Sequence, residues 1–316
     1  MLNNYYGYAC MNMQLAYPGK YDNNHSKRII CNRGMIKKTF IKKGVKYASE
    51  LALKNCNDLF DIIKWNQENN FKFFRISSDM FPWCSHYELE DLPDFDQIKF
   101  ILSEIGDFVS KNKMRVTFHP GPFNVLTSPH KKVVQNCIHD LKIHGQIFDL
   151  MNLPRTPYNK INIHIGGAYG DKIESMKRFC ENFKYLPKSV KSRLTVENDD
   201  RDSLYSVKDL YNGVYKVIGI PIVFDYHHHR FCSGDITENE ALNLAVSTWG
   251  LIKPVVHYSE SRNIEQKDNS IKPQAHSDYV YDYINTYGHS IDIMIEAKHK
   301  ELAVLKYFEV HNKIAI

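Results

Sequence analysis

The sequence predicts an α/β fold, a single-domain (β/α)8 TIM barrel over residues 1–316, and three observations carry that expectation. Eight short runs rich in β-branched and aromatic residues recur along the chain. Segments with a 3.6-residue apolar period lie between them, and strands that alternate with helices pair in parallel. The glycine-rich phosphate loop of an open doubly wound sheet is missing, because Gly166 and Gly167 follow a strand-like run without a third spaced glycine.

Taken in order, the first run is YYGYAC at 5–10. A locally basic stretch, 27–47, reads as a loop that either touches backbone phosphates or is simply solvated. The first helical pattern starts at Ala48, and KFFRIS at 72–77 is the second strand. Helical segments from Phe95 and from Val133 flank the third run, RVTFHP at 115–120. NIHIGG at 162–167 is followed by a helix from Lys172, and LTVEND at 194–199 by a helix from Ser206. IVFDYHH at 222–228 precedes a helix from Asn239, PVVHYSE at 254–260 precedes a helix from Asp278, and IDIMIEAK at 291–298 is the eighth run. Ser206 and Thr237 have the side chains expected of helix N-caps.

Composition bounds the functional class. Hydrophobic residues at 43% and charged residues at 24% describe a globular chain and exclude wholesale disorder. The net charge of +5 permits nucleic-acid contact without requiring it. The seven cysteines, at 10, 31, 56, 84, 137, 180 and 232, form no C-x-x-C pair, which points to free thiols in a reducing compartment and against a cysteine zinc site. The amino-terminal residues show no secretory pattern, and no run reaches the ~18 apolar residues of a membrane span. A soluble, intracellular protein is expected, with cytoplasm and nucleus undistinguished.

Most runs end in a metal-ligating residue: His119 after the third, His164 in the fourth, Glu197 at the end of the fifth, and Asp225 at the end of the sixth with His227, His228 and His229 beyond it. His257 closes the seventh, His276 follows it, and Glu296 closes the eighth. In a closed barrel all C-terminal strand ends converge on one face. A lone strand histidine is usually a satisfied core residue, but six consecutive strands that each donate His, Asp or Glu would crowd buried acids beyond tolerance unless cations neutralise them. Imidazole mixed with carboxylate suits Mn2+, Zn2+ or Fe2+, and a multinuclear site suits hydrolysis of a phosphodiester by water.

The motifs YGYACMN, TFHPGPF, INIHIGGAYG, LTVENDD, FDYHHH, VVHYSES and IEAKHKE, in this order from Tyr6 to about Lys306, resemble the UV damage endonuclease family. The resemblance implies a DNA repair enzyme that nicks one strand immediately 5′ to a UV photoproduct, cyclobutane dimer or 6-4, and leaves a 3′-hydroxyl and a 5′-phosphate. It implies up to three divalent ions, Mn2+ first, with Zn2+ or Mg2+ as alternatives. The implied ligands are His119, His164, Glu197, Asp225, His228, His257, His276 and Glu296, with Glu197 bridging two ions. Asp225, His257 and Glu296 would share one ion with it, His119 and His164 the other, and His228 and His276 would hold the third. Glu197, His257 and His86 are the implied catalytic residues, His86 near the scissile phosphate. The sequence departs from the family at Val255, where a lysine is common, and at Pro122–Phe123, where glutamine and an aromatic residue usually wedge into the duplex.

Damaged double-stranded DNA is therefore the expected partner of an expected monomer, with no membrane and no obligate protein partner. A photodimer is poorly stacked, so extruding it costs less than extruding normal bases. Phe123 is the candidate wedge, with Pro122 beside it and Tyr8 and Asn12 as helpers; Arg201, Arg230, Lys298 and Lys300 are candidate phosphate contacts. Arg75, inside a strand run, either pairs with the acids of the site or braces the barrel. The alternatives are an apurinic-site endonuclease, a sugar-isomerase-like metal enzyme, which would need a closed pocket and no exposed wedge, and a non-catalytic DNA-binding protein.

Overall fold

All eight runs become strands in the structure, a computed structural model that describes residues 4–21 and 27–311. They are β1 Tyr6–Ala9, β2 Phe73–Ile76, β3 Arg115–Phe118, β4 Ile161–Ile163, β5 Leu194–Glu197, β6 Ile222–Asp225, β7 Val255–Tyr258 and β8 Asp292–Ile295. Each pairs in parallel with the next, and β8 pairs back onto β1, closing the barrel. The strands are only three or four residues long and buried on both faces, which is why they read as apolar runs. The helices are α1 Met13–Ala16, α2 Lys37–Glu68, α3 Phe95–Lys111, α4 Lys131–Leu150, α5 Lys172–Phe183, α6 Lys188–Lys191, α7 Val207–Leu210, α8 Lys216–Ile218, α9 Tyr226–His229, α10 Glu238–Ser247, α11 Arg262–Gln266 and α12 Lys300–Val310.

Ser206 and Thr237 cap α7 and α10 with complete capping boxes. Three segments depart from expectation. The segment 27–47 is not wholly a loop: helical geometry begins at Lys37 and is interrupted at Gly44, whose φ of +64° suits glycine. Residues 278–287 form no helix. There the Glu265 carboxylate accepts the backbone N–H groups of Asp278 and Tyr279, and the Glu260 carboxylate those of Tyr281 and Asp282, so side chains satisfy donors that helical carbonyls would otherwise serve. Only the short α11 stands between β7 and β8, and β8 is followed by α12, whose Glu301 carboxylate accepts Met13 N–H and Gln14 N–H at 2.8 Å each and so caps α1.

Within the barrel, side chains stack in layers. Ala9, Phe73, Val223, Val255, Met294 and Trp249 form one apolar layer. Arg115 is fully buried at the N-terminal end, donating to Asp292 at 2.9 Å and to the carbonyls of Tyr158 and Lys253. Lys253 Nζ reaches the other Asp292 oxygen at 2.6 Å. The floor is thus sealed, and the opposite end is left for chemistry. Among the described residues no helix is long and apolar enough to cross a membrane.

Candidate metal centre

Parallel pairing puts the last residue of every strand at one mouth. Register makes this concrete: Asp225 of β6 lies beside His257 of β7. Glu197 ends β5, His119 and His164 follow β3 and β4, and Glu296 follows β8. Glu197 lies at the centre: its carboxylate is 3.0 Å from His119 Nε2, 3.1 Å from His257 Nδ1, 3.5 Å from His228 Nδ1 and 3.9 Å from His164 Nε2. Three overlapping groups offer ligand atoms within 4.8 Å of one another: His119, His164 and Glu197; Glu197, Asp225 and His228; and Asp225, His257 and Glu296. Seven of the eight expected ligands fall in these groups. His276 stands beside them, with Nδ1 3.8 Å from Glu296 Oε2.

The remaining bonds orient the donors. Nδ1 of His228 and of His276 lie 2.9 and 2.8 Å from the carbonyls of Asn198 and Glu296, contacts that require a proton on Nδ1 and leave Nε2 with its lone pair. Asn162 donates to Glu197 and is held by Thr195 at 2.7 Å. Arg75 pairs with Glu296, so it serves the acids of the site.

Charge at the mouth is unbalanced in a way that cations correct. Burial favours the neutral form of Glu197, but His257 and His164 override it and hold its carboxyl well below the usual range. Glu296 is likewise held low, by Arg75 and His257 against its burial. Burial pushes Asp225 up, with Glu197 and Glu296 adding like charge. Burial would lower His164, but Glu197 and Asp199 raise it to about 10, whereas burial of His119 outweighs Glu197 and takes it down to about 4. Asp225 Oδ2 and His257 Nδ1 are buried without a hydrogen-bond partner, although the histidine nitrogen lies 3.0–3.1 Å from two carboxylates. A buried carboxylate oxygen without a donor, set among further carboxylates and imidazoles, fits divalent cations.

Two residues of this site were missed by sequence reading. Lys160, Asn162 and His164 alternate at period two along β4 and the residues that flank it. Lys160 is fully buried, its Nζ is 3.1 Å from His257 Nε2, and burial lowers its pKa to about 7. Val255 belongs to the apolar layer of the barrel, and the amine beside His257 comes from Lys160, the residue that leads into β4. Polar residues at alternate positions of a buried strand were the available signal.

Outside the mouth, the candidates separate. A cavity of about 530 Å3 is lined by His119, His164, His228, Glu296, Pro122 and Arg201. Phe123 is 89% exposed and lines a neighbouring cavity that shares Gly121 and Asn124 with this one. His86 is exposed, its ring 5.3 Å from Trp83 and its Nδ1 3.0 Å from Ser85 Oγ. Lys298 is exposed, Lys300 is half-buried, and Arg230 borders a different groove, beside Glu260 and Tyr281. Tyr8 and Asn12 are corrections. Both are fully buried: the Tyr8 hydroxyl donates to Asn66 and accepts from Asn12, and Asn12 accepts Leu15 N–H as the N-cap of α1. A strand of closely buried faces gave Tyr8 a neighbouring helix, not solvent, to point at.

The sequence profile of the family described as UV-endonuclease UvdE matches residues 4–315. A UV-damage endonuclease of Schizosaccharomyces pombe is 34% identical over 310 residues, 95% of this chain and 49% of that protein. A UV DNA damage endonuclease of Clostridium perfringens is 34% identical over 282 residues, 87% of this chain and 66% of that protein. The chain thus spans about half to two thirds of the length of these relatives. The crystal structure of SacUVDE superposes with a TM-score of 0.81 at 31% identity, covering 99% of this chain and 100% of that one. A D-psicose 3-epimerase from Clostridium cellulolyticum H10, at 13% identity and a TM-score of 0.52 over 76% of this chain and 79% of its own, shares the fold alone.

Proposed function

The chain belongs to the UV-endonuclease UvdE family, and from that premise we propose that it is a metal-dependent DNA repair endonuclease that nicks the backbone immediately 5′ to UV photoproducts, leaving a 3′-hydroxyl and a 5′-phosphate. The observation that supports this most is the junction of His119, His164, Glu197, Asp225, His228, His257 and Glu296 in three overlapping groups at one barrel mouth. Divalent ions, Mn2+ before Zn2+ or Mg2+, supply Lewis-acid charge and acidify water when bound there. Glu197, which belongs to two of the groups, would serve as a ligand common to both. His276, whose Nδ1 is held by the Glu296 carbonyl, would complete the set from the side. Lys160 and Arg75 fix His257 and Glu296 from behind, so the donors are oriented before substrate arrives.

Recognition follows from the rim. Phe123, exposed on a loop beside the mouth, enters the base step that a photodimer has already unstacked. Pro122 has no side-chain donor, so this wedge acts by stacking and shape. Arg201 at the cavity wall and Lys298 beyond β8 take flanking phosphates, and exposed His86 faces the scissile one. The Arg230 groove, opposite Glu260, is the weakest of these contacts because the carboxylate repels phosphate.

The test is a nicking assay on end-labelled duplexes carrying one cyclobutane dimer, one 6-4 photoproduct or one abasic site, with Mn2+ or chelator, beside Glu197→Gln. An Mn2+-dependent nick 5′ to a photoproduct, lost in the variant, is expected. Cleavage at the abasic site alone, or no cleavage with any divalent ion, would overturn the proposal.

A further inference from the structure

We propose that the turn formed by residues 36–46, at the start of α2, is a clamp for the phosphate backbone of duplex DNA flanking the lesion. The inference rests on the DNA reading above and adds a surface that reading does not use. Five lysines, Lys37, Lys38, Lys42, Lys43 and Lys46, lie in eleven residues, and no acidic residue occurs between 27 and 49. All five are exposed, and none forms an ion pair among the described residues, whereas nearby Lys27 and Arg33 both pair with Asp58. Lys43 Nζ lies over the Tyr47 ring at 3.9 Å, and five cations without a carboxylate partner within eleven residues concentrate positive potential there.

Topology puts this charge on the correct face. Helices of a (β/α)8 barrel run opposite to their strands, so the N-terminal end of α2 lies at the mouth where β1 ends. The turn is also fixed in place. Phe40 stacks on Trp83 at 5.6 Å and 15°, Trp83 Nε1 donates to Met35 O at 2.8 Å, and both rings contact His86 edge-on at 5.6 and 5.3 Å. Trp83 adopts φ +61°, a conformation costly for a bulky residue and retained only where surroundings enforce it. The clamp and the His86 loop are therefore one unit. Gly44 breaks the helix just beyond, so residues 37–43 form a separate short segment. Seven helical residues rise about 10 Å, the axial length of about three phosphates on one strand. Ile36 and Ile41, 69% and 74% exposed, stand among the lysines and suit the apolar edges of the sugars.

The chemistry predicts a sequence-independent, salt-sensitive contact. Each phosphate neutralised contributes about 0.9 to the slope of log Kd against log salt. The experiment measures Kd for a photodimer duplex and an undamaged duplex of equal length from 50 to 200 mM NaCl, in Ca2+ to prevent cleavage. It compares the wild type, the triple variant Lys38→Gln, Lys42→Gln, Lys43→Gln, and the same positions changed to Arg; thermal melting verifies folding. In the Gln variant the slope is expected to fall by about 2 to 3, equivalent to about 40-fold of salt sensitivity across that range. Both duplexes should weaken by the same factor, and the Arg variant should keep the wild-type slope. Duplexes shortened on either side of the lesion should show that one arm alone supports the extra affinity, and that the Gln variant no longer distinguishes long from short. An unchanged slope, or a loss confined to the damaged duplex, overturns the clamp. Wild-type protein that nicks no photoproduct overturns the proposed function instead, whichever slope the lysines give.

Discussion

Asp225→Asn should stabilise the protein without ions and weaken its response to them. Asp225 is fully buried; Oδ1 accepts His228 N–H at 2.8 Å, while Oδ2 has no hydrogen-bond partner and lies in groups with Glu197 and Glu296. Asparagine keeps the oxygen that accepts from His228 and turns the orphan acceptor into an amide donor among carboxylates. Relieving one buried unsatisfied group is worth about 1–3 kcal/mol. With an unfolding entropy near 2.1 cal/mol/K per residue, 316 residues convert that into a rise in Tm of about 2–5 °C. Conversely, an ion at 1,000 times its Kd stabilises by about 4 kcal/mol, roughly 6 °C here. The wild type should gain that shift in saturating Mn2+, and the variant less than half, because Asp225 belongs to two of the three groups. Differential scanning calorimetry with chelator and with Mn2+ measures both effects. A variant that melts below the wild type in chelator, or one that keeps the full Mn2+ shift, would refute the reasoning.

Phe123→Ala should leave stability within about 0.5 kcal/mol, since the ring is 89% exposed, yet lose about 1–3 kcal/mol of affinity for a photodimer duplex, the worth of one stacked base; fluorescence anisotropy reads the loss, and equal weakening on undamaged DNA would rule out a wedge. Glu301 gives a pH signature away from the metal centre. Burial raises its pKa from 4.5 to about 7, against the two α1 N–H groups that favour its charge. A raised folded value means that its contribution is fully present below pH 4.5 and is lost as pH rises through 7, at a cost of about 3 kcal/mol by pH 8. The stability of the wild type relative to Glu301→Gln should therefore fall by about that amount between pH 4.5 and 8 in urea titrations, and a difference that stays flat would show the carboxyl to be ionised throughout.

Strands and their ends were legible because they are local facts. An apolar run between polar clusters names a buried strand wherever it lies, and in a parallel barrel its last residue must face the mouth. That reasoning found His119, His164, Glu197, Asp225, His257 and Glu296 from residue types alone. The same reading placed His228 and His276 beyond strand ends, and the resemblance to UV damage endonucleases added the implied roles. It failed where the partner lies far along the chain. Tyr8 looks like a rim aromatic until Asn66 on α2 takes its hydroxyl. The helix expected over 278–287 gives way to carboxylates at Glu260 and Glu265, which no periodicity reveals. Lys160 reads as one surface lysine among many until barrel closure brings it to His257, 97 positions away.

The alternation of eight strands with helices and the ligand chemistry at their ends follow from side-chain type and a spacing of two or 3.6, and so can be read from residues alone. Which ligand atoms share a space, which of them are left without hydrogen bonds, and which polar side chains support them from below emerge only on folding. Those depend on closing β8 against β1, a long-range event whose geometry no local propensity contains.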